Sequence, residues 1–287
     1  MIKSIEISVQ ESNIIKAIVM LLIVLGHNHI LSPNEGMFSL FGYLYSFHVS
    51  IFFILPFFYK KEDILNRGNI GKIVVRSGIP YLLFYIFCYF LYHFILGKDG
   101  FEISEFFGGI FNAPGYSVNT TTGFVFLWFL PVFMLMSLCK LIGSRYKILV
   151  IVLFLIGFII GVSREAYIFM WHSSFYLLRA LYYYAMGMST YLLFKYIKYI
   201  NYIGGLAFVV LTVLYWTNSY QANSFYFSIT GFCVVKELVH RFDFSKIPIL
   251  SLIGKYSLSI YLIHVFIYNV LEIILPHSLL CGVISVY

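Results

Sequence analysis

What most constrains this chain is a repeated pattern: an apolar run long enough to cross a bilayer, a short polar link, then another such run. Crossing a hydrocarbon core of about 30 Å takes about 20 predominantly apolar residues. Runs of that kind stand near 13–31, 39–59, 74–97, 122–142, 148–162, 174–194, 199–217, 223–239 and 256–275. Unpaired backbone groups are too costly in lipid and no alternating strand pattern is present, so each run is predicted to be a helix. The run near 223–239 is the least apolar, with Asn223, Ser224, Ser228 and Thr230. Beyond Pro276 and His277, the stretch Ser278–Tyr287 would rise only about 15 Å as a helix, which suits a truncated tenth helix or a re-entrant stub. The expected fold is all-α, a polytopic integral membrane bundle of about nine to ten transmembrane helices, the last short or truncated. No boundary for a soluble domain is visible, so residues 1–287 are read as a single integral domain.

Composition decides between that reading and a soluble one. The chain is 61% hydrophobic and 11% charged, against about 25% charged in ordinary soluble domains. A soluble fold of this length could not bury so much apolar surface, whereas lipid solvates it. The formal charge of +7 comes from basic residues in the short links, a topology signal rather than a nucleic-acid surface. With the N-terminus inside, the inner segments hold Lys3, Lys60, Lys61, Arg67, Lys72, Lys140, Arg145, Lys147, Lys195, Lys198, Lys236, Arg241, Lys246 and Lys255; the outer ones hold Lys98 and Arg164. The expectation is a multi-pass cell-membrane protein with a cytoplasmic N-terminus and a first helix that stays as a signal anchor. Cys88, Cys139, Cys233 and Cys281 lack CxxC spacing and read as core residues. The outer link 98–121 is polar enough to be partly ordered or to act as a lid, and the inner link 60–72 is basic and contains Gly68 and Gly71.

Ionisable residues inside the spans are the informative ones. Lys16 and His27 lie eleven residues apart in the first run. That is three helical turns, which puts them on one face about 16 Å apart along the axis. His48 falls midway along the second run, His264 in the ninth and Arg179 in the outer half of the sixth; Arg76 and Pro80 mark the entry of the third. Lys16 alone could be a snorkelling anchor, and His29, His93 and His172 read as packed residues near helix ends. No HExxH, GxSxG, P-loop or Asp-rich nucleotide-sugar motif is present. Histidine can take a proton from a hydroxyl near neutral pH, and a cation can hold a phosphate-bearing donor. Group transfer to a hydroxyl fits these residues, and so does a proton-coupled transporter.

Several strings carry a resemblance. Asn13-Ile-Ile-Lys16 followed by Val24-Leu-Gly-His27 spaces a basic residue and a histidine by ten positions. Tyr45-Ser-Phe-His-Val-Ser-Ile-Phe-Phe53 holds an FH…FF stretch, and Lys72-x-x-x-Arg76 runs into Ile79-Pro80-Tyr81. Leu127-Trp-Phe-Leu130 and Ser257-Leu-Ser-Ile-Tyr-Leu-Ile-His264 follow in order. The ordered set, from residue 13 to 264, resembles acyltransferase family 3. Asn13 stands where that family usually has an acidic residue, and Pro56-Phe57 where a Ser-Gly pair is common. The resemblance implies about ten helices and transfer of an acyl group, usually acetyl from acetyl-CoA, to a hydroxyl of a cell-surface polysaccharide or lipid-linked glycan. It implies His27 as catalytic base or acyl relay and Lys16 as a donor-holding or site-stabilising residue. His48, Arg76, Arg179 and His264 would shape the substrate site. The partners implied are acyl-CoA, a glycan acceptor and the bilayer, with no metal and no nucleic acid. Oligomeric state is not read. The alternatives are a proton-coupled transporter or exporter built on the same histidines, and an inactive, truncated member of the family.

Overall fold

The computed structural model describes residues 5–27, 39–59, 65–95, 103–111, 125–172, 176–217, 224–244 and 247–274. Among these the secondary structure is helical, with no strand. In chain order the helices are α1 (Val9–Gly26), α2 (Leu40–Phe58), α3 (Arg67–Phe94), α4 (Ile103–Phe111), α5 (Phe126–Arg145), α6 (Lys147–Val162), α7 (Arg164–His172), α8 (Tyr176–Tyr196), α9 (Ile200–Trp216), α10 (Ser224–Arg241), α11 (Pro248–Lys255) and α12 (Ser257–Ile274). Two compact units emerge, Met1–Lys60 with Ser189–Tyr287, and Lys61–Met188.

In the first unit, α1 starts at a capping box. The Ser8 amide donates to Glu11 Oε2 (2.8 Å) and the Glu11 amide to Ser8 Oγ (3.2 Å), satisfying two donors that a helix start leaves open. The preceding Ile7 amide donates to the Phe58 carbonyl (3.0 Å), and the Ser12 and Tyr59 hydroxyls lie 3.0 Å apart, so the start of α1 is tied to the end of α2. α11 lies against this start so closely that a methyl on Gly254 would overlap the Asn13 carbonyl. α2 is broken at Ser46 and Phe47, where the Ser46 hydroxyl donates to the Tyr43 carbonyl (2.6 Å). The Phe47 amide turns to Leu44, three residues back (3.2 Å). The first half of α2 is fixed from outside: Tyr215 of α9 donates to the Ser39 carbonyl (2.9 Å), Thr212 bonds Tyr43 (2.9 Å), and Ser228 of α10 donates to the Ser46 carbonyl (3.2 Å). These bonds set the angle at which the break presents its residues.

In the second unit, Asn66 caps α3 by accepting from the Asn69 amide (2.7 Å). The helix widens into a π turn at Val74–Gly78, where the Ile79 amide reaches Val74, five residues back. Pro80 follows immediately. It cannot donate and its ring crowds the carbonyl four residues back, so the wider turn relieves that conflict. Tyr81, Tyr85 and Tyr89 form one buried stripe on α3, while Leu83, Phe87 and Phe94 are exposed. The Tyr81 and Tyr85 hydroxyls donate to the carbonyls of Ile110 (3.0 Å) and Phe106 (2.9 Å), docking α4. α6 exposes Ile148, Ile151, Leu155 and Ile159, as a lipid-facing helix does. The chain then turns by 101° into α7.

Four described helices are long and apolar enough to cross a membrane, α1, α2, α3 and α5; the bent α6–α7 pair makes a fifth if it is one span. The sequence predicts nine to ten. α9 is apolar but has 17 residues. α8 carries Arg179, Lys195 and six tyrosines, and α10 carries Lys236, Glu237 and Arg241, residues that dilute an apolar run. Two predicted links are also partly helical. Residues 67–72 belong to α3, and residues 103–111 form α4 and pack against it rather than remaining loop. The tail Ser278–Tyr287 lies outside the described residues, as do His29 and Cys281. Cys88, Cys139 and Cys233 are buried thiols.

Candidate active site

His27 caps the C-terminal end of α1. Its backbone amide (3.1 Å) and its ring Nδ1 (2.8 Å) both face the Ile23 carbonyl oxygen. A carbonyl only accepts, so Nδ1 carries the proton, and in the neutral ring Nε2 holds a lone pair. The Tyr45 hydroxyl donates to that lone pair at 2.9 Å.

The same logic applies to two further rings of this unit. His48 Nδ1 donates to the Leu44 carbonyl. His264 Nδ1 donates to the Tyr261 carbonyl (2.6 Å). Each ring therefore spends its proton on its own helix and presents Nε2 as an acceptor. The rings are neighbours. His27 and His264 are 4.9 Å apart between centroids, edge to face, and Tyr45 lies 5.7 Å from His27 and 4.8 Å from His48. His48 is 0% exposed, and its Nε2 has no hydrogen-bond partner among the described residues. Gly26 makes the approach possible: a methyl there would stand 3.3 Å from Tyr45 Cε2 and 3.9 Å from His48 Nε2.

Lys16 is half-buried, and its Nζ donates to Asn13 Oδ1 (3.2 Å), one helical turn back. The amide at position 13 thus accepts the bond that an acidic side chain would accept there. Lys16 and His27 share α1 and its cap, as their spacing predicts.

Arg76 and Arg179 belong to the second unit. Arg76 is exposed on the π turn of α3. Arg179 is buried at 1% exposure, in the first turn of α8. Its Nη2 donates to the Trp171 carbonyl (3.2 Å), and its guanidinium carbon lies over the rings of Trp171 (4.5 Å) and Trp128 (6.0 Å).

Of the six residues singled out in the sequence, the structure gathers His27, His48 and His264 in the first unit and places Lys16 on the same helix as His27. The sequence did not single out Tyr45 or Gly26. Tyr45 lies three positions before His48 in the FH…FF stretch, a helical spacing that would have put a hydroxyl beside that histidine. The arrangement is three neighbouring imidazoles, one of whose Nε2 lone pairs meets the Tyr45 hydroxyl; an imidazole lone pair is what accepting a proton from a hydroxyl requires.

No curated protein and no solved structure matches the chain. Residues 9–286 match the model of an acyltransferase domain, nearly the whole length and across both units. With a histidine acceptor cluster at the end of its first helix and that match over almost every residue, the chain belongs to acyltransferase family 3.

Proposed function

We propose that this membrane protein is an O-acyltransferase that takes an acyl group, acetyl in the first instance, from cytoplasmic acetyl-CoA. The acceptor is a hydroxyl of a cell-surface polysaccharide or lipid-linked glycan. The supporting observation is the Tyr45 hydroxyl on His27 Nε2 at 2.9 Å. An acceptor hydroxyl that takes this place has its proton drawn to Nε2 as its oxygen attacks the thioester carbon. The C–S bond then breaks, and the departing thiolate takes the proton from His27. The Ile23 carbonyl keeps Nδ1 protonated and the ring in one orientation throughout. Lys16, three turns towards the N-terminus, is suited to the phosphates of the donor. In this reading the N-terminus is cytoplasmic, and α8, α9, α10 and α12 also cross the bilayer, bringing the chain towards the nine to ten spans of the sequence. His48 and His264 hold the acceptor in place, and Arg76 and Arg179 serve substrates from the second unit.

The experiment uses membranes containing the full chain, labelled acetyl-CoA and envelope glycans, with and without a collapsed proton gradient. Alkali-labile label in the glycan that persists without the gradient supports the transferase. Solute movement that needs the gradient and no acetyl-CoA, with no label in the glycan, overturns it in favour of a transporter.

A further inference from the structure

The second unit buries polar atoms that nothing among the described residues satisfies. Among the described residues Arg179 is the largest fully buried side chain. A guanidinium carries its charge at any physiological pH, and burying it without a counter-charge is strongly unfavourable. Yet its hydrogen bond among the described residues goes to a neutral carbonyl, that of Trp171. Among the described residues its Nε and Nη1 have no hydrogen-bond partner, and neither has Nε1 of Trp171, the ring over which the guanidinium lies. Three donor nitrogens without an acceptor and one fixed positive charge thus belong to a single stacked pair, and no carboxylate pairs with it among the described residues. Aromatic rings line the pair: Trp128 lies 6.0 Å from the guanidinium carbon and 5.8 Å from the Trp171 ring, with Tyr183 stacked on Trp128 at 6.1 Å. Cation–π attraction to Trp171 offsets part of the cost but satisfies no donor in the ring plane.

A surplus of donors around a cation calls for an anion with several acceptor oxygens. Depth narrows the choice. Arg179 is in the first turn of α8, about 5 Å from its start, where the helix dipole adds further positive potential. The opposite end of α8 leads into Lys195 and Lys198, so under the orientation proposed above Arg179 stands near the outer headgroup level. Aromatic walls there suit an acyl or prenyl chain.

We infer that Arg179 and Trp171 form a binding site for the phosphate group of a lipid-anchored molecule, either a phospholipid or a lipid-linked phosphate. The phosphate oxygens take the Nε, Nη1 and indole N–H donors, and the chain lies along the Trp128 face. The depth assignment rests on the proposed topology, but binding does not depend on acyl transfer. A chain that binds phosphate lipid and transfers nothing would leave this site standing while removing the enzymatic reading.

The test uses the full chain purified in detergent and stripped of lipid, with native mass spectrometry and thermal unfolding as readouts. The probes are dioleoyl phosphatidic acid, dioleoylglycerol (the same chains without phosphate) and coenzyme A. Phosphatidic acid is expected to bind at least about tenfold more tightly than dioleoylglycerol and to raise the unfolding temperature. Arg179→Gln should abolish the preference, and Trp171→Phe, which keeps the ring face and loses the N–H, should weaken it about threefold. Should Arg179→Gln fail to fold, Trp171→Phe and Arg179→Lys carry the test, since Lys keeps the charge without the fork of donors. Equal binding of the two lipids, or a preference unchanged in the variants that fold, overturns the site. Stabilisation by coenzyme A that depends on Arg179, without any phosphatidic acid preference, overturns the lipid source.

Discussion

The two units bury opposite kinds of polar atom. In the first, His27, His48 and His264 each give the Nδ1 proton to their own backbone and leave an Nε2 lone pair on the far side of the ring. In the second, Arg179 and Trp171 hold N–H groups that find no acceptor among the described residues. An acceptor cluster is suited to removing a proton, and a donor cluster around a cation is suited to holding an anion. On the proposed reading one chain separates chemistry from anchoring: backbone carbonyls fix histidine tautomers, while aromatic faces hold a guanidinium without neutralising it.

Changes in the acceptor cluster should alter transfer and leave the phosphatidic acid stabilisation alone, which is how the contrast can be broken. The largest expected effect among the supporting residues is at Lys16. Lys16→Gln should raise KM for acetyl-CoA by about tenfold to a hundredfold with a smaller change in kcat, as expected for a lost charge-assisted contact to phosphate. A KM unchanged at saturating glycan would leave Lys16 as a topology anchor only. Next is Gly26→Ala. Its methyl presses on Tyr45 at 3.3 Å, and moving the hydroxyl and rings by a few tenths of an ångström should cost about threefold to tenfold in kcat/KM. Activity equal to the parent would mean that the close approach of α2 to α1 does not set the geometry. The smallest effect is at Tyr45. Tyr45→Phe removes the hydroxyl that occupies His27 Nε2, so KM for the acceptor should fall about twofold to threefold with kcat nearly preserved. A collapse of kcat instead would show that the phenol takes part in the chemistry.

Legibility in the sequence followed the range of the interactions. Helices set by apolar runs were readable because lipid rewards the run itself. Gly68 and Gly71 suggest a link at residues 67–72, but Asn66 caps a helix there through the Asn69 amide, and the π turn that absorbs Pro80 lets that helix continue as α3. Residues 103–111 became helix because Tyr81 and Tyr85 supply donors to their carbonyls from another element, a tertiary bond that local polarity does not reveal. At the site, Lys16 and His27 were legible from helical spacing alone. The meeting of His27 with His264 needs α1 and α12 to pack, and the role of Gly26 needs the neighbour that it admits. Arg179 was visible as a cation in an apolar run, but Trp171, its stacking partner eight positions earlier, lies on a separate helix.

The most direct measurement compares the parent chain with His27→Ala in the labelled acetyl-CoA assay, after membrane insertion of both has been verified. Loss of a positioned general base should cut transfer to glycan by about a hundredfold to ten-thousandfold, with phosphatidic acid stabilisation unchanged. Transfer at the parental rate by an inserted His27→Ala chain would contradict the account, because the acceptor cluster would then be packing and not chemistry.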